Sequence, residues 1–216
     1  MRRYKYILFD LDGTLTHSHT GIYGCIRYAL QQMGRGEPKP EQLKGCIGPT
    51  LMYSFQTYFG MSEEDAKIAT AKYRERYSVI GWKENEPIEG ALETLKALKK
   101  AGYKLAMATS KPIVYAAKIA EKFGFSPYLD EKVGSGIDGS LPTKASVIAE
   151  AMRRLGASAK ECLMVGDRMH DVEGAKENGV DCAMLKVGYA ESEEEYVSSK
   201  PEYVFENFED FSAFLL

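Results

Sequence analysis

Four short polar clusters in this chain each stand beside an apolar run, and together they supply carboxylate, hydroxyl and ammonium groups. The first is Asp10-Leu11-Asp12-Gly13-Thr14, directly after Tyr6-Ile7-Leu8-Phe9. Two carboxylates two residues apart repel unless something cationic sits near them, so the pair reads as the start of a site. The second cluster, Thr109-Ser110-Lys111, closes the run Leu105-Ala106-Met107-Ala108. The third is Lys144, after Pro142-Thr143, and the fourth is Gly166-Asp167-Arg168-Met169-His170-Asp171, after Leu163-Met164-Val165. These are the groups of phosphate chemistry. Asp10, Asp12 and Asp167 can share an Mg²⁺ ion, which takes oxygen ligands in an octahedron and keeps several waters. Lys144 can neutralise a nucleophilic carboxylate and a phosphate oxygen, while Thr109 and the N–H groups of a helix N-terminus hold the other oxygens.

Taken singly, each residue also has a plainer reading. Asp12 and Asp167 can be turn residues, and Ser110 can cap a helix starting near Pro112. Lys144 alone can be a solvated lysine, and Asp171 an N-cap. His170 has no second histidine near it in sequence, so it reads as a local hydrogen-bonding residue and not as a metal ligand. The charge runs 96–100 and 191–195 read as solvated faces. The plain readings weaken together, because four separate strand ends or helix starts carry complementary groups.

Something must bring those clusters together, and the texture of the chain says what. Residues 6–9 read as a buried strand. From about 17 to 85 the pattern is helical. Ile22, Cys25, Ile26, Ala29, Leu30 and Met33 form one face, and Leu51, Phe55, Tyr58 and Phe59 another. A short helical segment is expected over 40–46. Ser62, followed by Glu63, Glu64 and Asp65, predicts the capped start of a third long helix. No strand is expected in this region, and Tyr23 and Tyr53 are expected to fill its core.

From Pro87 onward helices and strands alternate. Strands are expected over 103–109, 132–134, 162–165 and 181–185, and a terminal helix over 208–216. Four of the helices close on Gly102, Gly124, Gly156 and Gly179, and glycine reaches the left-handed C′ conformation at little cost. Helix, glycine, strand is the texture of a parallel α/β sheet. The chain therefore predicts a doubly wound, Rossmann-like α/β core over 1–16 and 86–216, with an all-helical domain inserted over 17–85. Such sheets bind ligands at the carboxyl ends of their strands, where the four clusters fall.

Bulk properties narrow the function. At 216 residues, 44% hydrophobic and 27% charged, the chain has the composition of a globular protein. A formal net charge of −3 provides no basic field for a nucleic-acid polymer or an anionic membrane. No apolar run approaches the roughly 18 residues of a membrane span. The basic start MRRYKY precedes only four apolar residues and then Asp10, so no signal peptide is expected. Cys25, Cys46, Cys162 and Cys182 show no CxxC spacing, which predicts reduced thiols and a cytoplasmic protein.

The sequence Asp10-Leu11-Asp12-Gly13-Thr14-Leu15 resembles the first motif of the haloacid dehalogenase superfamily of phosphohydrolases. Thr109 matches the second motif of that family, Lys144 the third, and Gly166-Asp167 with Asp171 the fourth, in order and spacing across the whole chain. The helical insertion resembles the small cap of the phosphoglycolate phosphatase-like branch. The resemblance implies Asp10 as nucleophile, forming an aspartyl-phosphate, and Asp12 as general acid and then base. It implies Mg²⁺ held by the side chains of Asp10 and Asp167 and the backbone carbonyl of Asp12, with Asp171 supporting the metal shell through water or Lys144. It implies phosphate and substrate contacts at Gly13, Ser110, Lys111 and, in the cap, Gly48. The substrate would be a small phosphomonoester: phosphoglycolate, a nucleoside 5′-monophosphate or a sugar phosphate.

Two departures bear on substrate identity. Thr16-His17-Ser18 stands where relatives often carry an acid, and Thr109-Ser110 where they often carry Thr-Asn. A β-phosphoglucomutase-type phosphomutase would keep the same four motifs and release no net phosphate. A non-enzymatic phospho-receiver uses similar groups, but is shorter and lacks an inserted helical domain. A dehalogenase has no alkoxide to protonate and lacks an acid equivalent to Asp12.

Overall fold

The structure is a computed structural model that describes residues 3–190 and 192–216. Met1 and Arg2 of the basic start, and Glu191 of the acidic run, lie outside the described residues. The elements in chain order are β1 (Tyr6–Phe9), β2 (Thr16–His17), α1 (His19–Gln32), α2 (Pro40–Lys44), α3 (Leu51–Phe59), α4 (Glu63–Val79) and β3 (Glu86–Pro87). Then follow α5 (Ala91–Lys100), β4 (Lys104–Pro112), α6 (Ile113–Lys122), β5 (Glu131–Ser135), α7 (Lys144–Leu155), β6 (Cys162–Gly166) and α8 (Met169–Glu177). The chain closes with β7 (Asp181–Leu185), α9 (Glu193–Ser198), β8 (Tyr203–Phe205) and α10 (Phe208–Leu215). Two compact units result, Met1–Thr16 with Pro87–Leu216, and His17–Glu86.

The first unit is an α/β domain around a six-stranded sheet of order β5-β4-β1-β6-β7-β8, every pair parallel. β1 is central because its four residues are nearly all apolar and can be covered on both faces. Phe9, its last residue, lies opposite Met107 of β4 and Val165 of β6. The strand order reverses between β1 and β6. Side chains alternate across the sheet. Leu8, Ala106, Ala108, Cys162 and Met164 join Val147, Ile148 and Ala151 of α7 and Val172 and Ala175 of α8 in one apolar cluster. Ile7, Phe9, Leu105 and Met107 are fully buried on alternate positions, and Phe9 meets Phe211 of α10 edge to face at 6.1 Å.

The second unit is helical. α1 presents Ile22, Cys25, Ile26, Ala29 and Leu30 inward, and α4 presents Ala66, Ala69, Tyr73 and Tyr77. The Ser62 hydroxyl caps α4 by accepting the Asp65 N–H at 3.1 Å. Arg76, near the end of α4, pairs with both carboxylate oxygens of Glu84 at 2.6 and 2.9 Å.

Several expectations change. Tyr53 is 52% exposed and not a core residue, because it lies on the outer side of α3, whose buried residues are Ser54 and Phe55. Tyr23 is half-buried, its ring 5.9 Å from that of His19. His17 belongs to a two-residue strand paired with β3, too short to show a period. The sheet extends past β7 to β8, an edge strand of three residues. β4 runs on to Pro112, so Ser110 lies in a strand and does not cap α6, whose N-cap position is Pro112. Among the described residues no helix is long and apolar enough to cross a membrane.

The central strand yields a direct test. Leu8 is fully buried in the sheet–α7–α8 cluster. Leu8→Ala should lower the unfolding free energy by about 2–5 kcal/mol. A urea titration should show a lower midpoint at an unchanged slope.

Candidate active site

Asp10 follows β1, and its N–H extends the ladder to β6 by donating to the Val165 carbonyl at 2.9 Å. The chain then turns on Leu11, whose carbonyl accepts the N–H groups of Leu15 and Thr16, each at 2.9 Å. Gly13 sits at φ 85°, and a Cβ there would lie 2.2 Å from Asp167 Oδ2. Glycine is therefore required both by the backbone conformation and by the close approach of β1's turn to Asp167.

Asp167 follows β6, directly beside β1 in the sheet, and is fully buried. The Thr14 hydroxyl donates to its Oδ1 at 3.1 Å, and the Tyr189 N–H to its Oδ2 at 2.7 Å. Asp171 occupies the first turn of α8, where its Oδ2 accepts the N–H groups of Asp167 and Arg168 at 3.2 and 3.1 Å. A carboxylate at this end of a helix is favoured by the exposed N–H groups and the helix dipole.

Lys144 opens α7, which is set by a reciprocal cap: Ser146 N–H to the Thr143 hydroxyl at 3.1 Å, and Thr143 N–H to the Ser146 hydroxyl at 3.2 Å. Its ammonium lies 2.7 Å from Asp10 Oδ1 and 2.8 Å from Asp171 Oδ1, and donates to the Ala108 carbonyl at 3.3 Å. Burial alone would lower the Lys144 pKa, but the carboxylates of Asp10 and Asp171 outweigh it and hold the pKa above the usual lysine value. The Asp167 pKa also moves up, which for a carboxyl favours the neutral form. Burial, then the nearby Asp171 and Asp10, raise its pKa well above the ordinary range. Burial also raises Asp171, against the pull of Lys144.

Ligand atoms of Asp10, Asp167 and Asp171 all lie within 4.8 Å of one another. Lys144 pairs with Asp10 and Asp171, while Asp167 beside them has no ammonium partner among the described residues, so the cluster has room for a further cation. The donors are all oxygen, and a hard divalent cation such as Mg²⁺ fits both the donor set and the charge. These residues fit a metal site.

On the other flank of β1, Thr109 is buried near the end of β4, and its hydroxyl accepts the Lys111 N–H at 3.2 Å. Lys111 is also buried, and its ammonium meets both oxygens of Asp12, at 2.9 and 2.6 Å. The Asp12 carboxylate is thus outside the acidic cluster, and Asp171 is the third side chain within it. The Ser110 carbonyl accepts the Ser135 hydroxyl at 2.8 Å. Gly48 belongs to the helical unit, with φ 105°.

Three contributors escaped the sequence reading. Thr14 and the Tyr189 N–H hold Asp167, and Glu195 holds the start of α8. Glu195 corrects the reading of 191–195 as a solvated face. It is buried, accepts Arg168 Nε at 2.9 Å and accepts the Met169 N–H at 2.7 Å. Its neighbours Glu193 and Glu194 are exposed, and nothing local in an acidic run marks the one member that turns inward.

The family model described as haloacid dehalogenase-like hydrolase matches residues 7–185. A 5′-nucleotidase from Pseudomonas aeruginosa is 42% identical over 92% of this chain and 90% of its own length. A pyrophosphatase, PpaX, from Halalkalibacterium halodurans is 34% identical over 94% of this chain and 93% of its own. The crystal structure of a predicted phosphatase from Clostridium acetobutylicum superposes with a TM-score of 0.92 at 36% identity, covering 98% of this chain and 97% of that one.

The charge balance gives two expected outcomes in EDTA. A carboxyl with a raised folded pKa keeps its proton where the unfolded chain has lost it, so stability falls as pH rises through the folded value. Asp167→Asn removes that dependence. The variant should melt above the parent at pH 8, with the gap closing near about pH 4, the ordinary carboxyl range. Lys144→Met leaves buried carboxylates without their cation and should destabilise by about 3–5 kcal/mol at pH 8, measured by urea titration.

Proposed function

We propose, from the premise that the chain belongs to the haloacid dehalogenase-like hydrolases and is a phosphatase, that it hydrolyses nucleoside 5′-monophosphates with Mg²⁺ through an aspartyl-phosphate. One observation carries the chemical part of this reading. Two carboxylates two residues apart are divided between two buried lysines, Asp10 with Lys144 and Asp12 with Lys111. Asp10 therefore sits beside Asp167 and Asp171 and Asp12 apart from them, so the two can take separate roles as nucleophile and acid/base. The Pseudomonas relative named 5′-nucleotidase supports the substrate class.

In the reaction, an Asp10 carboxylate oxygen attacks phosphorus, and the bond from phosphorus to the leaving oxygen breaks. Asp12, as general acid, gives a proton to that oxygen. Water then attacks the phosphoryl group. Asp12 takes the water proton, the bond to Asp10 breaks, and inorganic phosphate leaves. Lys144 holds and aims the Asp10 carboxylate, its own orientation fixed by Asp171 and the Ala108 carbonyl. Thr109, with Gly13 and Ser110, is assigned to the phosphate oxygens. Asp10 and Asp167, together with the Asp12 backbone carbonyl, would hold Mg²⁺, with Asp171 and its Lys144 partner in support. Bound there, the ion supplies neutralisation of the phosphate charge. The cap role of residues 17–85, and a substrate contact at Gly48, are part of this proposal. So is a reduced, cytoplasmic setting, which the four buried free cysteines support.

Phosphate release over a panel of nucleoside monophosphates, phosphoglycolate, sugar phosphates and pyrophosphate, with Mg²⁺ or EDTA, tests the reading. Turnover should require the metal and favour the nucleotides. Asp10→Asn should abolish it with the circular dichroism unchanged, and Asp12→Asn should lower kcat by about 10²–10⁴-fold. Turnover that survives Asp10→Asn overturns the nucleophile, and release indifferent to EDTA overturns the metal.

A further inference from the structure

The backbone of Lys111 is fixed from several directions. The β4–β5 register shifts between Thr109 and Pro112, a local irregularity of the kind that re-aims a side chain. The Thr109 hydroxyl takes the Lys111 N–H at 3.2 Å, and the Ser135 hydroxyl holds the preceding carbonyl, Ser110, at 2.8 Å. Gly134 of β5 lets the strands close here, since a Cβ on it would lie 2.5 Å from the Lys111 carbonyl oxygen. The side chain from this anchored point is 5% exposed and reaches both Asp12 oxygens, at 2.9 and 2.6 Å. Lysine has a flexible stem and pays in rotamer freedom for any single geometry. Here the anchoring removes that freedom before any substrate arrives.

We propose that Lys111 is a positioning residue for Asp12: it holds the Asp12 carboxylate away from the Asp10–Asp167–Asp171 cluster, in place to serve the departing oxygen. This rests on the aspartyl-phosphate reading above and adds a second buried lysine with a separate duty. Lys144 serves the attacking carboxylate and Lys111 the proton-transferring one. A direct phosphate contact, the role that the family resemblance implies for Lys111, gives a different kinetic pattern. Loss of a phosphate contact weakens every phosphomonoester alike. Loss of Asp12 positioning slows the first step, which kcat/KM reads, only for those whose leaving oxygen needs a proton, while the second step, with Asp12 as base, slows for all alike.

The test compares adenosine 5′-monophosphate, or whichever alkyl phosphomonoester of the panel turns over fastest, with p-nitrophenyl phosphate. The first leaves as an alkoxide that must be protonated, the second as a stable phenolate. Lys111→Met should lower kcat/KM on the alkyl ester about 10²-fold, within the range that a general acid contributes. On p-nitrophenyl phosphate the loss in kcat/KM should stay below about tenfold, since the phenolate leaves without a proton. Lys111→Arg should recover most of the alkyl-ester rate. In an Asp12→Asn background Lys111→Met should add almost nothing, because the two act as a unit. If Lys111→Met does not fold, judged by circular dichroism, Lys111→Gln serves for the same comparison. Equal losses of kcat/KM on both esters, or a raised KM with kcat retained, overturn the positioning role and leave the aspartyl-phosphate reading standing. Turnover in Asp10→Asn overturns that reading instead.

Discussion

The buried ammonium of Lys144 meets three oxygens, those of Asp10, Asp171 and the Ala108 carbonyl, and these come from three different strands or their continuations. An ammonium has three donors, and here each has an acceptor. Burying the charge without them would be prohibitive, and burying the carboxylates without it would be worse. The arrangement therefore works as a lock on the relative placement of the β1, β4 and β6 ends and the start of α7. Asp171 carries the lock onward, because its other oxygen holds the backbone that begins α8.

The sheet order explains why the lock falls where it does. β1 is central, β4 and β5 lie on one side, and β6, β7 and β8 on the other. Strand direction is common to all, so every strand delivers its C-terminal residues to one edge. The order reverses between β1 and β6, the switch point at which such sheets take ligands, and Asp10 and Asp167 directly follow these two strands. Polar groups can converge at this point without breaking the apolar layers beneath, where Leu8, Met164 and Val147 are completely buried.

The protein keeps its acids apart as carefully as it gathers them. Asp10, Asp167 and Asp171 are drawn into one cluster, while Asp12 is held aside by Lys111. A register shift in β4 and the absence of a side chain at Gly134 make that separation possible. Both are features of strand pairing, so the division of labour between neighbouring carboxylates is built into the sheet.

Much of this was legible in the chain alone. The apolar run before Asp10, the helix–glycine–strand texture after Pro87 and the helical stretch between them define a parallel α/β core with a helical insertion, because periodicity and turn chemistry are local properties. The family and the phosphatase class were legible too, since four clusters at strand ends follow one known order. Local signals failed where elements were short or partners distant. Three residues of β8 carry no period, and Tyr53 reads as core although α3 turns it outward. Glu195 is indistinguishable in sequence from its exposed neighbours, and only packing against the start of α8 buries it. The pairing of Lys144 with Asp10 and Asp171, and of Lys111 with Asp12, spans dozens of residues and depends on which strands lie side by side. Sequence determined which groups reach the strand ends. Tertiary structure decided which of them meet, because contact between charges is set by strand order and register, and neither is encoded within reach of any one segment.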